Sequence, residues 1–186
     1  MKTLKKIALT LLILVTTVAT FRGCIYRQII AYQSVGPRTN YTSTDRQLIQ
    51  YIETNTGAGQ NLSIEDIVQL ANNLTSRQLH FTASDNDTDP NQLIHSKAAH
   101  CVGYAAFFAT TCNYLLKKYH LDATWTAQPN IGKLYLLGEN IHRYFDSPFF
   151  RDHDFVVVKN KVTGEVFAVD PTVHDCLFIH NVTLMQ

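Results

Sequence analysis

Cys101, His153 and Asp170 follow one another in an order suited to nucleophilic chemistry. Cys101 stands near the start of a long run of small and apolar residues that reads as a helix. A thiol at a helix N-terminus beside an imidazolium is favoured as the thiolate, which is the attacking species. The first-turn N–H groups of the same helix have no intrahelical partner and can receive an oxyanion. His153 and Asp170 lie just outside two strand-like runs, 155–159 (FVVVK) and 165–169 (EVFAV), joined by a loop at 160–164 that contains Thr163-Gly164. A hairpin register that sets Val158 opposite Glu165 also sets His153 opposite Asp170, on one face and within hydrogen-bond reach. A carboxylate in that place fixes the imidazole tautomer and raises its basicity.

Other groups compete for these roles. His142, in the segment NIHRYF, is a rival base with no carboxylate partner legible in the sequence. Cys112 shares the helical stripe of Cys101 but lies eleven residues on, about 16 Å along the axis, and reads as core. Cys176 with His174 and Asp175, beside His100-Cys101, raises a structural zinc site, yet no Cys-X2-Cys or His-Glu-X-X-His spacing occurs. Tyr144, Phe145, Phe149 and Phe150 are expected as core packing or a loop lid, with a groove lining as the alternative.

The elements that must position the triad follow from periodicity. From about residue 96 to 119, Cys101, Ala105, Phe108, Cys112, Leu115 and Tyr119 step by four and three, which is one helical face. Ala98, Ala99, Gly103, Ala105, Ala106 and Ala109 let other elements approach closely, so this helix is expected at the centre of the domain. Upstream, Thr44-Asp45 caps a helix over 46–54 that stops near Gly57 and Gly59. Ser63 and Asp66 form a capping box before Ile64, Ile67, Val68, Ala71 and Leu74. Residues 82–90 (TASDNDTDP) read as a surface loop. Downstream come short strand-like runs at 123–127, 133–137, 155–159, 165–169 and 177–179. Helices first and strands later argue for an α+β fold.

Three blocks together resemble the transglutaminase-like superfamily, within the papain-like cysteine enzymes: residues 100–119 (HCVGYAAFFATTCNYLLKKY), His153-Asp154-Phe155, and Val169-Asp170-Pro171-Thr172. The resemblance covers roughly residues 94–173. It implies a central helix carrying the Cys, packed on an antiparallel β-sheet. Cys101 would be the nucleophile, His153 the general base and acid, and Asp170 the orienting carboxylate. The implied reaction is acyl transfer from a peptide amide through a thioester, with no cofactor and no metal. His100 stands where the family often has a small or apolar residue, and Asp154-Phe155 where Trp commonly follows the His. Gln78 and Gln92 are the candidates for the side chain that completes the oxyanion hole.

Composition bounds the rest. The chain has 186 residues, 46% of them hydrophobic, which suffices for one domain with a real core. The net charge of +1 includes no basic patch, so nucleic acid is not an expected partner. Four Cys are too few for a disulfide scaffold of this length. Lys2, Lys5 and Lys6 precede an uncharged run at 7–21 that ends at Arg22, which has the form of an export signal or anchor. Residues 1–32 are thus expected to be a signal peptide or membrane anchor, 33–44 a linker, and 45–186 the domain. Gly23-Cys24 is a possible lipoprotein cleavage site, and a retained signal-anchor is the alternative. All these routes place the globular part outside the cytoplasm. The expected protein is an exported or membrane-anchored cysteine enzyme acting on protein or peptide substrates. The alternative is a catalytically silent relative that binds a peptide or cell-wall component.

Overall fold

The computed structural model describes residues 2–57, 62–84 and 86–185; Gly59 and Asp85, named above, lie outside them. The fold is mixed α/β with an apolar helix in front. Helix α1 (Lys2–Ile29) runs directly into strand β1 (Ile30–Pro37). Then come α2 (Arg46–Thr54), α3 (Ile64–Gln78), β2 (His80–Phe81), α4 (Pro90–Ser96), β3 (Ala98–Ala99) and α5 (Cys101–Lys118). The second half holds β4 (Trp125–Leu136), β5 (Glu139–Asn140), β6 (His153–Asn160), β7 (Val166–Val169), α6 (Pro171–Leu177) and β8 (Thr183–Leu184). Among the described residues the main sheet has the order β7-β6-β4-β1-β8, with β5 also paired to β4. Its strand pairs are antiparallel except β1 with β8.

The early helices form where their caps are encoded. The Asp45 carboxylate accepts from the N–H groups of Gln47 and Leu48 at the start of α2. Ser63 and Asp66 cap α3 reciprocally. Helix α5 is buried on nearly all sides, with Tyr104, Phe107, Phe108, Cys112 and Leu115 in the main core. Full burial of each Phe contributes about 1.5–3 kcal/mol. At Gly103 a Cβ would meet the Ala99 Cβ at 2.8 Å and Leu93 Cδ1 at 3.0 Å, so the first turn packs as tightly as its small residues predict. Strand β6 alternates between two cores. Val156 and Val158 face the cluster around α5, whereas Phe155 and Val157 join Tyr32, Ala168 and Val182.

Several expectations change. The segment at 33–44, read as a linker, begins inside β1, which lies between β4 and β8. Its strand character was hidden because Gln33, Ser34 and the Gly36-Pro37 pair give it the composition of a linker. The expected helix at 96–119 starts at Cys101, because Lys97 turns into the left-handed region at φ 62° and Ala98–Ala99 pair with His80–Phe81. The runs at 123–127 and 133–137 are two ends of one strand, β4; Pro129 and Gly132 between them masked its continuity. Residues 177–179 are not a strand, since Pro171–Leu177 is helix α6. Finally, β6 and β7 pair Val156 with Val169 and Val158 with Phe167. The hairpin is therefore offset from the expected register by two, which keeps His153 and Asp170 on one face but sets them diagonally.

Candidate active site

Asp170 anchors the site. It is the N-cap of α6, followed by Pro171 in the first turn, where the missing N–H costs nothing. One carboxylate oxygen, Oδ1, accepts from the N–H groups of Thr172 and Val173 at 3.0 and 3.1 Å. The other, Oδ2, accepts from the Tyr32 hydroxyl at 2.7 Å and pairs with His153 Nε2 at 2.6 Å. Asp170 is fully buried. Burial alone would push its pKa up, but the His153 charge and hydrogen bonds from His153, Tyr32 and Val173 outweigh it and hold the carboxyl below its ordinary value.

His153 opens β6 opposite Gly132 of β4. A Cβ at 132 would lie 2.7 Å from both the His153 carbonyl oxygen and the Phe155 ring, so only glycine admits this approach. The imidazole packs edge-on to Tyr32, with ring centroids 6.1 Å apart. Burial opposes charge on the ring, yet the Asp170 charge and hydrogen bond, with a hydrogen bond and charge from Cys101, raise its pKa well above the ordinary value. With Nε2 held by the carboxylate, Nδ1 is the nitrogen left for the thiol. Cys101 is the first residue of α5 and half-buried. Its neighbour His100 caps the helix, Nδ1 accepting from the Val102 N–H at 3.2 Å. The Cys101 N–H belongs to the same unpaired first turn.

Three residues that the sequence reading did not single out complete the surroundings. The Tyr26 and Tyr32 hydroxyls lie 2.6 Å apart, which extends the network from Asp170 into α1. Burial, followed by the Asp170 charge, raises the Tyr32 phenol well above its usual pKa, so it remains a donor. Arg38, just past β1, donates from Nε and Nη2 to the two oxygens of Asp154 at 2.8 and 3.1 Å. Asp154 is fully buried; desolvation raises its carboxyl pKa against the lowering by Arg38. The guanidinium lies at the edge of a cavity of about 330 Å³ that Val102, Ala106 and Tyr41 also line. Neither Tyr32 nor Arg38 carried a signal in the local sequence pattern.

The remaining candidates fall elsewhere. Gln78 Nε2 donates to the Ile94 carbonyl, away from Cys101, and Gln92 is exposed on α4. Neither is shown beside the thiol. His142 Nδ1 meets the Phe150 carbonyl oxygen at 2.6 Å, closing its own loop. Tyr144, Phe145, Phe149 and Phe150 are exposed rather than core, and Phe149 stands edge-on to His100. This aromatic loop therefore borders the Cys101 opening. Cys112 is fully buried, its thiol pushed up to about 12 by desolvation. Asp175 accepts from the Tyr104 hydroxyl, His174 stacks near His180, and Cys176 is exposed. Among the described residues no three His, Cys, Asp or Glu side chains gather as metal ligands. Family models, curated proteins and solved structures offer no match to this chain.

Proposed function

We propose that the protein is a transglutaminase-like cysteine enzyme, anchored by α1, that transfers the acyl group of peptide amides through a thioester on Cys101. The observation that carries this reading is the His153–Asp170 pair, its carboxylate held by the Tyr32 hydroxyl and two backbone N–H groups, with Cys101 among the groups that raise the pKa of the same ring. An imidazolium beside a thiol favours the thiolate. The sulfur attacks the amide carbonyl carbon, and the carbonyl oxygen takes the negative charge opposite the first-turn N–H of α5. His153 gives its proton to the amide nitrogen, the C–N bond breaks, and the amine leaves. A water then loses a proton to His153 and attacks the thioester, releasing a carboxylic acid and restoring the thiol. Asp170 keeps the ring oriented throughout.

Hydrolysis is favoured over crosslinking. The His153 side chain is 20% exposed and Cys101 half-buried, so water reaches both. The anchor reading draws on α1, whose Lys5–Ile29 segment is long and apolar enough to cross a membrane, with its most apolar window unburied. Digestion of casein-derived peptides in H2 18O tests the reaction without knowledge of the natural substrate. The wild type is expected to place 18O in new carboxyl groups, and Cys101→Ala is expected not to. Equal label in both proteins would remove Cys101 from the chemistry.

A further inference from the structure

We infer that the α6 C-terminus, Leu177-Phe178, is a membrane-docking wedge that seats the globular part directly on the bilayer surface. This rests on the anchor reading of α1. Residues 7–21 carry no charge, and Arg22 is the first charged residue after them, at the level where a spanning helix leaves the hydrocarbon. Arg22 is not free. Its Nε donates to the Leu177 carbonyl at 2.6 Å, and its guanidinium lies 5.9 Å from the Phe178 ring centroid. The following turns are fastened as well. Arg27 bonds the Asn181 side chain, its carbonyl accepts from Thr183, and the Ile29 carbonyl accepts from Leu137 N–H. No flexible tether separates span and domain, so the surface around Arg22 is held at the headgroup layer.

Phe178 is what such a surface would carry. It sits just past the end of α6 in the left-handed region, at φ 54°, where helices commonly place glycine. The residue found there is a Phe that is 65% exposed, preceded by an exposed Leu177. Neither joins the two buried clusters of the domain. An amphipathic guanidinium over an aromatic ring, beside an aliphatic side chain, is interfacial chemistry: apolar groups enter the acyl boundary while the cation stays with the phosphates. One consequence reaches the site. Tyr26 lies four residues beyond Arg22, about 6 Å along the helix axis. The Tyr26–Tyr32–Asp170 network therefore holds the candidate active site close to the membrane surface.

The test uses the full chain in phosphatidylethanolamine–phosphatidylglycerol vesicles, with and without acyl chains brominated near the headgroup. Phe178→Trp is compared with Phe21→Trp, at the end of the apolar run. Native Trp125 is the internal control, since it starts β4 and lies about 36 Å along that strand from the end bound to α1. Its unquenched emission in wild type also reports an intact fold. Docking predicts that bromolipid removes about half of the emission added by either substitution, as for rings seated ~5–10 Å into the boundary. Quenching of Phe21→Trp without quenching of Phe178→Trp overturns the docking surface and leaves the anchor standing. Quenching of neither overturns both.

Discussion

At the scale of single residues, Asp170 gathers donors from four places, and each was differently legible. Cys101, His153 and Asp170 stand out in the sequence because each sits in a short local context: a small-residue helix, a strand start, an Asp-Pro cap. Tyr32 reaches the same carboxylate from 138 residues away, a distance that local pattern cannot span. Arg38 is hidden for the same reason, since its partner Asp154 lies across the sheet. Tyr32→Phe removes one donor from a buried carboxylate and is expected to cost about 1.5–3 kcal/mol. The sign of its pH dependence follows from the depressed pKa of Asp170. That group adds stability above the ordinary carboxyl value, and the contribution is lost as pH falls through the folded value. Without Tyr32 the folded value rises toward the ordinary one, so less stability is lost on acidification and the loss is complete at a higher pH. Urea melts between pH 3 and 7 should show a shallower acid limb in the variant, with its deficit largest near neutral pH; identical limbs would mean the phenol does not hold Asp170. His153 contributes in the opposite sense, fully below its ordinary value and lost as pH climbs through the raised one.

The elements show why an incorrect register could still deliver a correct neighbour. Strand side chains alternate with period two, so an offset of two residues keeps every side chain on its face, whereas an offset of one would have moved Asp170 to the opposite core. Helix α5 was legible because its stripe and its small residues agree. Strand β4 was not, because Pro129 and Gly132 look like breaks. Gly132 is instead the place where β4 yields space to His153 and Phe155. Gly132→Ala puts a methyl group 2.7 Å from a backbone oxygen and an aromatic ring, neither of which can swing aside. The expected cost is about 1–3 kcal/mol, with turnover falling more than binding because His153 is displaced. Thermal denaturation with steady-state kinetics checks both; an unchanged kcat in a folded variant would show that β4 does not position the base.

For the whole molecule, the boundary between the apolar helix α1 and the domain is where sequence reading and structure differ most. Helix α1 runs directly into β1 with no Gly, Pro or polar turn between Gln28 and Tyr32 to mark the junction. A chain starting at residue 22 keeps Tyr26, all of β1 and the Arg22 contacts, and should fold. A chain starting at residue 33 loses Tyr32 and the β1 pairings to β8 at Ala31 and Tyr32, and its Tm should fall by about 10 °C or more. Equal melting curves would show that β1 is dispensable. The central claim is that Cys101 and His153 act as one unit. It is tested most directly by iodoacetamide alkylation at pH 6, in the chain starting at residue 22, read at Cys101 by peptide mapping because Cys24 and Cys176 are exposed and react as well. The account predicts modification about 100-fold faster in the wild type than in His153→Ala, since an ordinary thiol is almost wholly protonated at that pH. Equal, slow rates in the two proteins would contradict it.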